Sequence, residues 1–134
     1  MAVQLSVAVR NAREDAVSAT IGTAAHLVFY TGAQPANCAA AAPTGVLVDM
    51  SLPSAYLTAA AAGSKSIVGT WSGVASGAGV AASWRLYDTA EANCHAQGTV
   101  TATGGGGDLT LDNTNINTGQ TVSMATFTLT DGNA

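Results

Sequence analysis

From His26 onward the chain is written in a period of two. HLVFYTG (26–32), GVLVDMSL (45–52), KSIVGTW (65–71), AASWRLYD (81–88), CHAQGTVTAT (94–103), DLTLDN (108–113) and QTVSMATFTLTD (120–131) are short, rich in β-branched residues and separated by turn residues. Side chains of a strand alternate between its two faces, so each run reads as a strand. Seven short strands in succession predict an antiparallel β-sandwich or barrel over residues 26–131.

The alternation assigns faces. Val46, Val48, Met50 and Leu52 share one side of their strand, opposite Asp49 and Ser51. Trp84 and Leu86 oppose Arg85 and Tyr87, and Trp71 falls in phase with Ile67. Both tryptophans are therefore expected in the core, and Arg85 and Tyr87 on a surface available for contact. Cys94 is expected inside and His95 outside. In the last run Val122 and Met124 are in one phase and Phe127 and Leu129 in the other, which asks for a bulge or bend near Ala125.

The opening departs from this period, and two later segments resist it. Leu5, Val9, Ala12 and Ala16 recur at helical spacing, while Arg10, Asn11, Arg13, Glu14 and Asp15 fall on the other side. One amphipathic helix over residues 5–21 is expected, with an Arg10–Glu14 pair and Gly22 as its stop. SAYLTAAAAGSK (54–65) is capped by Ser54 and ended by Gly63, and predicts a helix of one or two turns. QPANCAAAAPTG (34–45), bracketed by prolines, predicts a surface loop. A chain of 134 residues with no internal repeat is expected to form a single domain.

Charge excludes several functions. The cations are Arg10, Arg13, Lys65 and Arg85, and the net charge is −4, too little positive charge to neutralise the phosphates of a nucleic acid. The apolar stretch at the N-terminus is cut by Arg10 and Arg13 before it reaches signal-peptide length, and no run is long enough to span a membrane. Synthesis in the cytoplasm is the expectation. Nothing points to an oxidising compartment, and the sequence leaves open whether Cys38 and Cys94 are bonded.

No catalytic pattern emerges. The four glycines at 104–107 are followed by Asp108 and a strand, without the helix and lysine of a phosphate loop. They are expected to form a hairpin tip with positive φ, placing Val100 and Ala102 on the face of Leu109 and Leu111. LDNTNINTGQ holds a single acid, Asp112, and reads as turns rather than as a calcium loop. His26, His95, Cys38 and Cys94 match no zinc spacing, so no metal and no cofactor is expected. GTWSG (69–73) places Ser72 one position late for a nucleophile elbow. Asp108 and Asp112 are about 13 Å apart on an extended strand, too far for a glycosidase pair. An enzyme is not expected.

The stretches LSVAVRNAREDAVSATIG, TGAQPANCA followed by GVLVDMSLP, GTW at 69–71, and CHAQGTVTATGGGGDLTLDN through GQTVSMATFTLTDGNA give an order of features that resembles the small capsid cement, or decoration, proteins of tailed DNA bacteriophages. The resemblance implies a jelly-roll-like β-sandwich that binds the outside of the assembled capsid. Its partner would be the major capsid protein, its form a homodimer and its location the virion exterior. It supplies no residue-level site. A tail or fibre module with carbohydrate affinity, with Tyr87 as a contact residue, is the alternative, and a small hydrolase a distant third. The helix fits an intradimer contact, a lid on a sheet edge, or a simple cover for the core.

Overall fold

A computed structural model describes residues 3–124 and 126–131. It is mainly β with one N-terminal helix. In chain order the elements are α1 (Val7–Ile21), β1 (His26–Tyr30), β2 (Val46–Ser51), β3 (Ser64–Ser66), β4 (Trp71–Val74), β5 (Gly79–Val80), β6 (Ser83–Tyr87), β7 (Cys94–Ala102), β8 (Leu109–Leu111), β9 (Asn115–Ile116), β10 (Thr121–Met124) and β11 (Thr128–Thr130). The main sheet has five strands in the order β2-β1-β6-β7-β8, and three two-stranded ribbons pair β10 with β4, β11 with β3, and β5 with β9.

The sheet is mixed, which corrects the antiparallel expectation. β7 and β8 run parallel, with Val100 beside Leu109 and Ala102 beside Leu111. Parallel neighbours ordinarily need a crossover of a dozen or more residues. Here six suffice, because the glycines let the chain reverse twice. Gly104 and Gly106 take φ values of 87° and 79°, in the left-handed region that favours glycine. The returning segment lies against β7, where a Cβ on Gly105 or Gly107 would come within 2.7 and 2.9 Å of Thr101. Positive φ and the shared face of Val100, Leu109 and Leu111 are as expected; the hairpin is not.

The core lies between this sheet and the β4–β10 and β3–β11 ribbons. Leu27, Phe29, Met50, Leu86 and Val100 from the sheet meet Trp71, Val122, Met124 and Phe127 from the ribbon side. Phe127 joins the tryptophans, 5.5 Å from the Trp71 ring centroid and 5.6 Å from that of Trp84. Fully burying one such side chain contributes about 2–3 kcal/mol relative to leaving it in water. Both tryptophans are buried as their phase required.

Several local expectations are revised. Val46 is exposed because the β1–β2 register skips a residue at Leu47, which turns Leu47 and Val48 both inward. The 54–65 segment is extended, not helical. Ala62 and Gly63 both have positive φ, the combination a tight hairpin turn requires, and Ala61 bridges Ser64 across it. The final run divides into β10 and β11, which pair with different strands. Ala125, the expected point of the bend, lies outside the described residues. Cys94 and His95 are both half-buried, neither fully inside nor fully outside.

α1 is docked by the face expected to meet water. Ser6 caps it, accepting from Val9 N at 3.3 Å, and Gly22 ends it. Glu14 and Ile21 are buried and Arg10, Asn11, Val17 and Ser18 half-buried, whereas Val7, Val9, Ala12 and Ala16 face outward. The reason is the surface beneath. The turn between β3 and the preceding segment, together with Asp131 after β11, presents backbone groups that need partners. Asn11 Oδ1 accepts from Gly63 N at 2.8 Å, and Asp15 Oδ1 from Ala60 N at 2.9 Å. Arg10 donates to the Asp131 carbonyl from Nε at 2.9 Å and Nη2 at 2.7 Å, in place of the expected pair with Glu14. Alanine side chains could satisfy none of these groups.

Candidate functional site

Arg85 and Tyr87, the expected contact residues, are 3% and 8% exposed. Their side of β6 does oppose Trp84, but it is covered. Residues 31–45 fold back across that face, and Arg85 is what they fold onto. Its Nη2 donates to the carbonyls of Ala40 at 3.0 Å, Asn37 at 3.2 Å and Ala41 at 3.3 Å, and its Nε to Gln97 Oε1 at 3.2 Å. Gln97 in turn donates to the Pro35 carbonyl at 2.7 Å, and Ser83 Oγ to that of Gly32 at 2.6 Å. A disulfide between Cys38 and Cys94, with Cα atoms 5.2 Å apart, ties the middle of the loop to β7. Beneath it Tyr30 and Tyr87 share a hydrogen bond of 2.7 Å. Burial, with that bond, pushes the Tyr30 phenol well above its ordinary range. The pair is a buried anchor and not a docking surface.

The other cations are also engaged. Lys65, itself 4% exposed, lies 2.7 Å from Asp15, and Arg13 lies 3.1 Å from Asp131. The Lys65 hydrogen bond, seconded by the Ala60 amide, holds the Asp15 carboxyl below its usual range. Glu14 has the opposite shift: burial, with the charge of Asp131 nearby, raises its carboxyl. No described cation is left as a free charge on the surface.

Beside the paired Arg13 and Asp15, the outward side of α1 is largely apolar. Val7, Val9, Ala8, Ala12, Ala16 and Ala19 are exposed, and a shallow groove between the helix and β7 is lined by Arg13, Ala16, Val17, Thr20, Ile21 and His95. Every tryptophan, tyrosine and phenylalanine is buried, so the fold offers no exposed aromatic platform for a sugar ring. Ser72 is exposed on β4, opposite Ser123. The histidines lie elsewhere, His26 with Asp49 and Glu91, His95 near Asp88.

The His26 group is a constellation the linear spacing did not reveal. His26 opens β1, Asp49 lies on β2, and Glu91 sits in the β6–β7 connection. Nδ1 of His26 is 2.7 Å from Asp49 Oδ1 and 3.3 Å from Glu91 Oε1. One ligand atom from each residue lies within 4.8 Å of the others. Partial burial, then the neighbouring Asp49 charge, raises the Glu91 carboxyl. The connection carrying Glu91 is held by bonds of its own. Asp88 accepts from Ala92 N at 2.9 Å and Asn93 Nδ2 at 2.8 Å, and Thr89 Oγ1 donates to the carbonyls of Thr23 and Ala24. Strand pairing is the signal that would have found the first two members: Asp49 pairs with Val28, two residues from His26 and on the same face.

At the glycine segment, Asp108 does structural work. Its carboxylate accepts from Thr99 N at 2.9 Å and Thr99 Oγ1 at 3.0 Å, bonds that hold its carboxyl below the usual range. Compared with known proteins, the chain matches no family model, no curated protein and no solved structure.

Proposed function

We propose that this chain is a virion structural protein: a capsid cement or decoration protein that binds the outer surface of a tailed-phage capsid through the major capsid protein and stabilises capsomer contacts. The observation that carries the reading is the inverted helix. α1 engages Arg10, Arg13 and Asp15 with partners elsewhere in the chain and turns Val9, Ala12 and Ala16 outward. A small-residue strip whose charge, Arg13, is already paired with Asp131 suits close packing against a protein surface, the capsid or a second copy of the chain. Under this reading the five-stranded sheet and the facing ribbons are the two layers of a jelly-roll-like sandwich, and the protein acts as a dimer. Burial of all the aromatic side chains weighs against the carbohydrate-binding alternative.

Cement works by mass action, since a ligand of the assembled shell that ignores free subunits stabilises the shell by its binding free energy. The test adds purified protein to capsids stripped of it and follows rebinding and thermal rupture. Rebinding with a raised rupture temperature is expected, and both should fall in Ala12→Glu, which places a charge on the outward strip. No rebinding at physiological salt overturns the reading.

A further inference from the structure

We propose that His26, Asp49 and Glu91 form a binding site for a divalent transition-metal ion of the zinc type. The inference is independent of the capsid reading. An imidazole nitrogen carries at most one proton, yet two carboxylate oxygens converge on Nδ1 of His26 from separate elements, at 2.7 and 3.3 Å. One proton cannot serve both acceptors fully, and the two carboxylates repel each other. A divalent ion resolves this by replacing the proton and giving each donor a bond.

The geometry fits zinc. Donors bound at 2.0–2.1 Å in a tetrahedron are roughly 3.3 Å apart. The His26–Glu91 separation already has this value, and the His26–Asp49 hydrogen bond needs to open by about 0.6 Å. One nitrogen with two carboxylate oxygens is a donor set for borderline ions, not for calcium or magnesium, which take oxygen alone. The side chains of His26, Asp49 and Glu91 are 18%, 38% and 43% exposed, so an ion can enter and water can complete the shell. Glu91 has a φ of 53°, and its connection is anchored through Asp88 and Thr89. The backbone that carries Glu91 is thus positioned by bonds that do not depend on the ion. Once bound, the ion joins β1, β2 and the β6–β7 connection.

The test is calorimetric titration of chelator-treated protein with Zn2+, followed by melting with and without the ion. Saturable one-to-one binding and a higher melting temperature are expected, with calcium failing to compete. Glu91→Gln and Asp49→Asn, isosteric changes at exposed positions, should each weaken binding tenfold or more. His95→Ala should leave it unchanged. Cobalt(II) in place of zinc should give visible absorption that His26→Ala abolishes. The proposal is overturned if no saturable binding occurs up to about 1 mM, far beyond the range of a built site. It is overturned equally if Glu91→Gln and Asp49→Asn bind like wild type, or if His95→Ala is the variant that loses the ion.

Discussion

The Nη2 of Arg85 lies 3.0 Å from the carbonyl oxygen of Ala40, forty-five residues back along the chain. Three carbonyls of one loop converge on that nitrogen, and no described carboxylate pairs with the guanidinium. The cation is solvated by backbone dipoles and, with the disulfide and the bonds from Ser83 and Gln97, holds in place a segment with no secondary structure.

Arg85→Lys tests that dependence. A lysine offers no planar fork, and losing the additional bonds should cost roughly 2 kcal/mol. The disulfide keeps the loop tethered while oxidised; across a separation of 56 residues its chain-entropy contribution is about 4 kcal/mol. The variant under reducing conditions should therefore be cut by protease between Pro35 and Pro43, while either change alone leaves that segment largely protected. Denaturant melts and limited proteolysis read both effects.

Gly63→Ala should destabilise the helix dock. Gly63 has a φ of 77°, and a Cβ there would come within 2.5 Å of the Arg10 guanidinium. Left-handed strain adds about 1 kcal/mol to the displaced contact. Arg10 would leave the Asp131 carbonyl, and amide exchange in α1 should accelerate ahead of exchange in β1 and β6. Equal acceleration throughout would mean that the dock is not a separate unit.

Glu14 sets a pH dependence of defined sign. Its folded carboxyl is raised above its ordinary value of 4.5, so the folded state favours the protonated form. That stabilisation is complete below the unfolded value and is lost as pH rises through the folded one. Glu14→Gln keeps the shape without the charge. It should be more stable than wild type at pH 7, with the difference disappearing toward pH 4, in melts taken across that range.

Asp108 has the opposite sign. Its carboxyl is lowered by the Thr99 amide first and the Thr99 hydroxyl second. This contribution is present above the unfolded value and is lost as pH falls through the folded one. Asp108→Asn should cost about 1 kcal/mol, below the usual value for charged hydrogen bonds because water screens an exposed group. Exchange at the Thr99 amide should rise in the variant at neutral pH.

The strands were legible because alternation survives tertiary packing. Trp71, Trp84, Met50 and Leu86 are inside as their phase demanded. The misplacement of Arg85, Tyr87 and the inner face of α1 has one cause: the second face of a strand or helix need not meet solvent. HLVFY contains no alternating polar residue after His26, a continuous run that signals burial on both faces. Taken with β6 beside it, that run places Arg85 and Tyr87 under a cover. For α1, Arg10, Asn11, Glu14, Val17, Ser18 and Ile21 form an equally good helical stripe. Choosing it over Val9, Ala12 and Ala16 requires knowing that unpaired backbone lies beneath. The parallel β7–β8 pair was hidden for a related reason: four glycines permit a double reversal as readily as a single one. The His26 site depends on register between strands, which no spacing along the chain encodes.

The central pairing of β1 with β6 sets how this chain must fold. β1 with β2, across the loop 31–45, and β6 with β7, across residues 88–93, are neighbours along the chain and can form as separate hairpins. The contact between them brings His26 beside Tyr87 and Tyr30 beside Ser83, and the chain must close a loop of more than fifty residues before any of those bonds exists. Closure entropy precedes the reward. Refolding should be governed by that seam, on the millisecond-to-second scale of non-local β topologies. Substitutions along it, such as Leu27→Ala, should slow refolding, whereas those in β8 or the glycine reversal should chiefly speed unfolding.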